Sequence, residues 1–67
     1  MRGYRVEYLN YPPQPRIQNV PNKSKAMILA QMWCDENGMA ANIVRRRDEK
    51  LIMRYWYDSE GLQYMEY

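Results

Sequence analysis

A chain of 67 residues is one domain, 1–67, with room for only a modest core. With no histidine and a single cysteine, Cys34, it has no disulfide staple, no nitrogen-and-sulfur metal set and no triad chemistry. Its net charge of +2 is uneven: residues 1–34 carry five bases against one acid and residues 35–67 five against seven, so neither half has the dense basic field of a dedicated DNA binder.

The three glycines, Gly3, Gly38 and Gly61, are isolated, so no glycine-rich phosphate loop exists. The carboxylates gather in turns and near the end of the expected helix rather than around a cleft. Cys34 falls on that helix's core side, where a thiol packs rather than reacts. These absences predict a protein that is not an enzyme and takes no cofactor or metal. The longest apolar run, Ala26 to Ala30, is too short to span a bilayer, and the N-terminus lacks an apolar signal region. A lone thiol fits a reducing compartment, so the expected location is cytoplasmic or nuclear, with cytoplasmic preferred. Phenylalanine is missing while tyrosine and methionine are abundant. Both types favour adaptable interfaces, but in so small a chain they are read chiefly as core.

Tyr4 to Tyr11 alternates, with Tyr4, Val6 and Tyr8 on one side and Arg5 and Glu7 on the other, which predicts a strand. Pro12-Pro13-Gln14-Pro15 ends it, because proline donates no ladder hydrogen bond. Residues 12–22 are expected to form a stiff, polyproline-like loop over the sheet edge, with Arg16 to Val20 at most a short extended piece. A helix should begin near Asn22–Ser24 and stop at Asn37-Gly38, between a side-chain cap and a glycine. At 100° per residue, Ala26, Met27, Leu29, Ala30, Trp33 and Cys34 share one face and should pack on the sheet. Ile28 and Met32 lie on the opposite side, four residues apart, and form a second candidate contact patch.

Three strands follow: Met39 to Arg47, Leu51 to Tyr57 and Leu62 to Tyr67. The turn Ser59-Glu60-Gly61 reads as a three-residue loop with glycine in the left-handed region. That register would pair Trp56 with Tyr64 and Arg54 with Glu66 on one face, and Tyr55 with Met65 and Met53 with Tyr67 on the other. Leu51, Met53, Tyr55, Tyr57, Met65 and Tyr67 should then face the helix, and Ile52, Arg54, Trp56, Tyr64 and Glu66 should face out. The turn at Asp48-Glu49-Lys50 has no glycine and leaves its register open. A two- or four-residue loop puts Ile43, Arg45 and Arg47 outward, and a three-residue loop puts Val44 and Arg46 there. Element order is therefore β-α-β-β-β, an α+β domain of two layers with one helix on a mostly antiparallel sheet.

One helix covers one sheet face and leaves the other bare. Arg45, Arg47, Arg54, Trp56 and Tyr64 are the candidate contact set on that face, because tryptophan, tyrosine and arginine dominate binding hot spots. The same side chains could hold phosphates and stack bases, so a basic, aromatic nucleic-acid surface is the alternative. The acids interleaved among them favour a protein partner. The first and last strands are also expected as sheet edges open to a further strand or to a homodimer.

The layout, carried by the helix from Ser24-Lys25-Ala26 to Gly38 and the hairpin Asp58-Ser59-Glu60-Gly61, resembles small phage-encoded anti-defence proteins. Among these it is similar to compact anti-CRISPR proteins that act on type I surveillance complexes. The resemblance implies an inhibitor of a host protein or ribonucleoprotein complex, bound at a Cas subunit or its nucleic-acid channel, without catalysis. The Pro12–Pro15 segment and the Arg45–Arg47 run stand outside it.

Overall fold

A computed structural model of the chain describes residues 2–8 and 15–67. In chain order the elements are β1 (Tyr4–Tyr8), β2 (Arg16–Val20), α1 (Lys23–Asn37), β3 (Ala41–Arg45), β4 (Lys50–Asp58) and β5 (Gly61–Glu66). The strands form one antiparallel sheet in the order β2-β1-β3-β4-β5. The helix lies on one face over β1, β2, β3 and β4 and stops short of β5. The expected α+β domain of two layers is present, with its β-α-β-β-β order intact and one strand added.

The added strand is β2. Residues 16–20, expected within a loop, pair with β1 from Tyr4↔Val20 to Tyr8↔Arg16. Prolines flank this segment at Pro15 and Pro21 but none lies inside it, so each of its five residues keeps its N–H. Val20 is buried in the core, and the Arg16 guanidinium sits 5.4 Å from the centre of the Trp33 ring. With β2 at the edge, β1 is an interior strand, and the open edges are β2 and β5. The expected continuation of the first strand to Tyr11, and residues 12–14 of the proline segment, lie outside the described residues.

The helix forms where its caps predict. The Asn22 side chain accepts a hydrogen bond from Lys25 N at 2.9 Å. Gly38 closes the helix with φ 68°, its N–H donating to Cys34 O at 2.6 Å. Ala26, Ala30 and Cys34, spaced four apart, are fully buried and let the helix approach the sheet closely. Met27, Leu29 and Trp33 pack beside them, as the helical angle predicts. Trp33 meets Tyr8 edge-to-face at 6.2 Å, and the Tyr8 hydroxyl accepts from Met39 N at 3.2 Å. The helix charges oppose its dipole, with Lys23 and Lys25 in the first turn and Asp35 and Glu36 in the last. Such placements generally cost roughly 0.3–1 kcal/mol each.

Two register findings decide which side chains face which way. The β4–β5 hairpin turns on two residues, Ser59 and Glu60, so Asp58 pairs with Gly61, Tyr55 with Tyr64, and Met53 with Glu66. This is one residue away from the expected register. The Asp58 carboxylate accepts from Glu60 N at 2.8 Å and tightens the turn, and Gly61 takes φ 107° inside the ladder instead of adding a loop residue. The expected register avoided setting Glu66 opposite Met53 on the core side. That placement is harmless here, because the helix does not reach β5 and Glu66 is solvent-exposed.

The second finding is an irregularity in the β3–β4 ladder. Ile43 pairs with Met53 but Val44 pairs with Leu51, leaving Ile52 as an extra residue. The loop Arg46–Glu49 has four residues, yet the bulge reverses the sides expected for that length: Ile43 joins the helix-side core and Val44 turns outward. Ile52, expected outside, packs against the core, and Leu51, expected inside, opposes Val44 on the outer face. A one-residue slip moves every later side chain to the other face. Met65 therefore lies outward opposite Arg54, and Tyr64 lies inward opposite Tyr55.

Candidate docking surfaces

The five residues expected to share one face occupy three places. Arg54 and Trp56 lie on the outer sheet face as expected, opposite Met65 and Gln63. Tyr64 lies on the helix side, its ring 5.9 Å from that of Tyr55. There it lines a cleft of about 380 Å³ with Met27, Gln31 and Leu62. Arg45 and Arg47 sit at the end of the sheet, at and beside the β3–β4 turn. The expected Trp56–Tyr64 pair does not form, because the register slip sends the two rings to opposite faces. The expected Arg54–Glu66 pair is lost for the same reason, and Arg54 Nε instead donates to Asn42 Oδ1 at 2.8 Å.

The outer face is a belt of matched polar groups over a thin apolar floor. Val44 is 6% exposed although no layer of the described structure covers it and it is not part of the helix-side core. Arg5, directly opposite Val44 on β1, donates to Glu7 at 2.8 Å and forks onto Glu49 at 3.0 and 3.1 Å. The hydrogen bonds to Glu49 and then to Glu7 push the Arg5 pKa up, and Arg5 holds the Glu49 carboxyl below its usual range. Trp56, Leu51 and Gln63 are half-buried here, while Met65 and Ile17 stand exposed towards the two sides of the sheet.

At the β3–β4 turn the three arginines differ. Arg45 grips Asp48 through two hydrogen bonds of 3.0 and 2.7 Å and lowers that carboxyl to about 2. Arg46 donates from its backbone to Gly3 O at 3.1 Å and from its side chain to Arg2 O at 3.4 Å. Arg47 is exposed and makes no hydrogen bond or ion pair to any described residue. The pairing Tyr4↔Arg45 brings the start of the chain to this turn. Arg2, Gly3 and Pro21 thereby border two adjoining grooves, one of about 290 Å³ with Arg45 and Arg47, the other of about 430 Å³ with Arg46 and Asn19. Arg2 was not among the expected site residues. No local pattern marks it, since it is about 40 positions from the triplet and only the sheet order joins them.

Ile28 and Met32 are placed as expected, 60% and 55% exposed on the helix's outer side, beside a groove of about 230 Å³ bordered by Gln18, Val20 and Leu29. Cys34 is buried, and desolvation pushes its thiol pKa up. Among the described residues no group of three or more His, Cys, Asp or Glu side chains could hold a metal ion, and no helix is long and apolar enough to cross a membrane. What these elements define as a class is a small α+β domain, one helix on a five-stranded antiparallel sheet. No known protein family matches the chain, and neither does any curated protein or solved structure.

Proposed function

We propose that this is a non-enzymatic docking protein that binds a protein surface, alone or within a ribonucleoprotein complex, through the outer sheet face centred on Trp56. The observation that supports it most is the make-up of that face. It has a half-buried tryptophan, an arginine beside it with its Nε already oriented by Asn42, and a half-buried Leu51 next to Val44, which flanking side chains shield, with no second layer over the face among the described residues. Arg5 is paired with Glu7 and Glu49, Arg54 is held by the neutral amide of Asn42, and the two acids balance the two arginines, so the face carries little net charge and suits a mixed-charge protein surface. An inhibitor of a host nucleoprotein complex, of the kind the layout resembles, is one protein that would need only such a surface. A reducing, cytoplasmic setting suits the unpaired Cys34.

The test is affinity capture from host lysate with nuclease present, followed by binding measurements on the recovered partner. Trp56→Ala should weaken binding by about 2 kcal/mol, roughly 30-fold, as central tryptophans do. Arg47→Ala should leave it unchanged. A folded Trp56→Ala protein that binds the partner at wild-type affinity refutes the outer face as the site.

A further inference from the structure

The arginine end is a second surface, made by the fold rather than by the run of three. Arg2, Arg45, Arg46 and Arg47 border the two grooves around Gly3 and Pro21. Lys50 pairs with Arg45 across the ladder, and Lys23 follows Pro21 by two residues at the start of α1. These six cations stand against two carboxylates, Asp48 and Glu49, an excess of four where the whole chain has a net charge of only +2. Glu49 is already engaged by Arg5 and Asp48 by Arg45.

The acids that balance the chain lie elsewhere. Asp58 and Glu60 are at the far end of β4, and Asp35 and Glu36 are at the far end of α1. The Tyr57 hydroxyl donates to Asp35 and joins these two groups. Eight steps along β4 at about 3.3 Å per residue separate the two ends by roughly 26 Å. That is about three Debye lengths at physiological ionic strength, so the acidic end does not screen the basic one. The helix adds to the contrast. Its N-terminus, the positive end of its dipole, lies beside Pro21 and carries Lys23 and Lys25, neither of which makes an ion pair with a described residue. At the other terminus the unfavourable charges are relieved, Glu36 by Arg16 and Asp35 by Tyr57. The lysines at the start of the helix therefore add to the positive field at this end.

We propose that this end binds the phosphate backbone of a nucleic acid. The arginine forks match phosphate and carboxylate oxygens alike, and it is their repetition along adjoining grooves that favours the evenly repeated charges of a phosphate backbone. Two adjoining grooves that share Arg2 can also hold successive phosphates of one strand. Binding is backbone-led and salt-sensitive. The outer-face aromatic Trp56 plays no part in it, so this site stands or falls independently of the protein-docking face.

The experiment is fluorescence anisotropy with the full chain and labelled single-stranded and duplex oligonucleotides, from 25 to 300 mM salt as about the working range. Affinity should fall steeply with salt. Arg47→Ala and Arg2→Ala should each weaken binding several-fold at low salt and flatten the log–log salt slope by about one. Arg54→Ala and Trp56→Ala should bind as the wild type does. Three results overturn the proposal: no binding at the lowest salt; wild-type affinity in the folded Arg2→Ala/Arg47→Ala double variant; or equal affinity for a polyglutamate peptide of matched charge, which would make the occupant an acidic protein.

Discussion

Gly3→Ala should be far more costly than its place near the end of the chain suggests. Gly3 has φ 89°, outside the range ordinary side chains adopt. A Cβ there would lie 2.6 Å from the Val20 carbonyl oxygen, a backbone atom of β2 that cannot swing aside as a side chain would. Real Cβ contacts essentially never fall below 3.0 Å, so the strand or the start of the chain must move. The dihedral strain costs about 1–2 kcal/mol, and forcing an atom into a filled site a further 1–3 kcal/mol. A loss of about 3 kcal/mol lowers the melting temperature of a domain this size by roughly 12–24 °C. Gly38 is the internal control. It also has a positive φ, 68°, but nothing lies within 4 Å of its Cβ position, so Gly38→Ala should cost only about 1 kcal/mol. Asparagine, which tolerates left-handed backbone, should recover most of the loss at position 38 and little at position 3. Urea unfolding followed by tryptophan fluorescence, with slopes compared to confirm two-state behaviour, measures both. Equal losses for the two alanine variants, or full recovery by Gly3→Asn, would refute the close approach of Gly3 to β2. The same approach positions Arg2 beside Arg46, because Gly3 O accepts the Arg46 N–H.

Three further outcomes test other parts of the structure. The Asp48 carboxyl should titrate near 2 in carbon-detected NMR and return to the ordinary carboxylate range in Arg45→Ala, since the Arg45 hydrogen bonds are the main cause of its shift. Because that pKa is depressed on folding, the pair's contribution to stability is present above about pH 4 and is lost as pH falls through about 2. Cys34, fully buried and with its thiol pKa raised, should react with a thiol reagent only when the chain unfolds, so its labelling rate should rise with urea in step with global unfolding; rapid labelling in the native state would contradict its burial. Tyr8→Phe should destabilise the domain by about 1 kcal/mol in urea unfolding by leaving Met39 N–H without its acceptor, and Tyr8→Ala by roughly 3–5 kcal/mol through the cavity beside Trp33.

The helix was legible in its caps, to within two residues at its start, and in its buried face, because each signal there is local: asparagine or serine before, glycine after, and apolar residues on one helical face. The strands were legible as strands but not in register. The β4–β5 pairing turned on whether Gly61 is a loop residue or the first ladder residue, and cross-strand pair quality misjudged it. That comparison assumed a helix covering all of β4 and β5, so a Glu66–Met53 pairing looked like a buried charge. The helix instead ends its coverage at β4, and the objection disappears. The bulge at Ile52 is equally invisible to alternation, since Leu51, Ile52 and Met53 are three apolar residues in a row and suit either phase. Residues 16–20 were hidden by their flanking prolines, which end a strand but do not prevent one between them.

These misses share a consequence for function. With Tyr64 moved to the helix side and Arg45 gripped by Asp48, the single basic, aromatic face expected from the last third of the chain separates into two surfaces of different character. One is aromatic and charge-matched, around Trp56; the other is cationic and free of aromatic stacking partners apart from Tyr4 at its margin. The division is set by topology: β1 inserts between β2 and β3, carrying Arg5 onto the outer face to neutralise it with Glu7 and Glu49, and carrying Arg2 to the turn to strengthen it. One strand placement thus removes charge from the sheet face and concentrates it at the end. The two surfaces lie about 20 Å apart along the direction of β4, so the two proposed ligands, a protein surface at one and a phosphate backbone at the other, would not exclude each other.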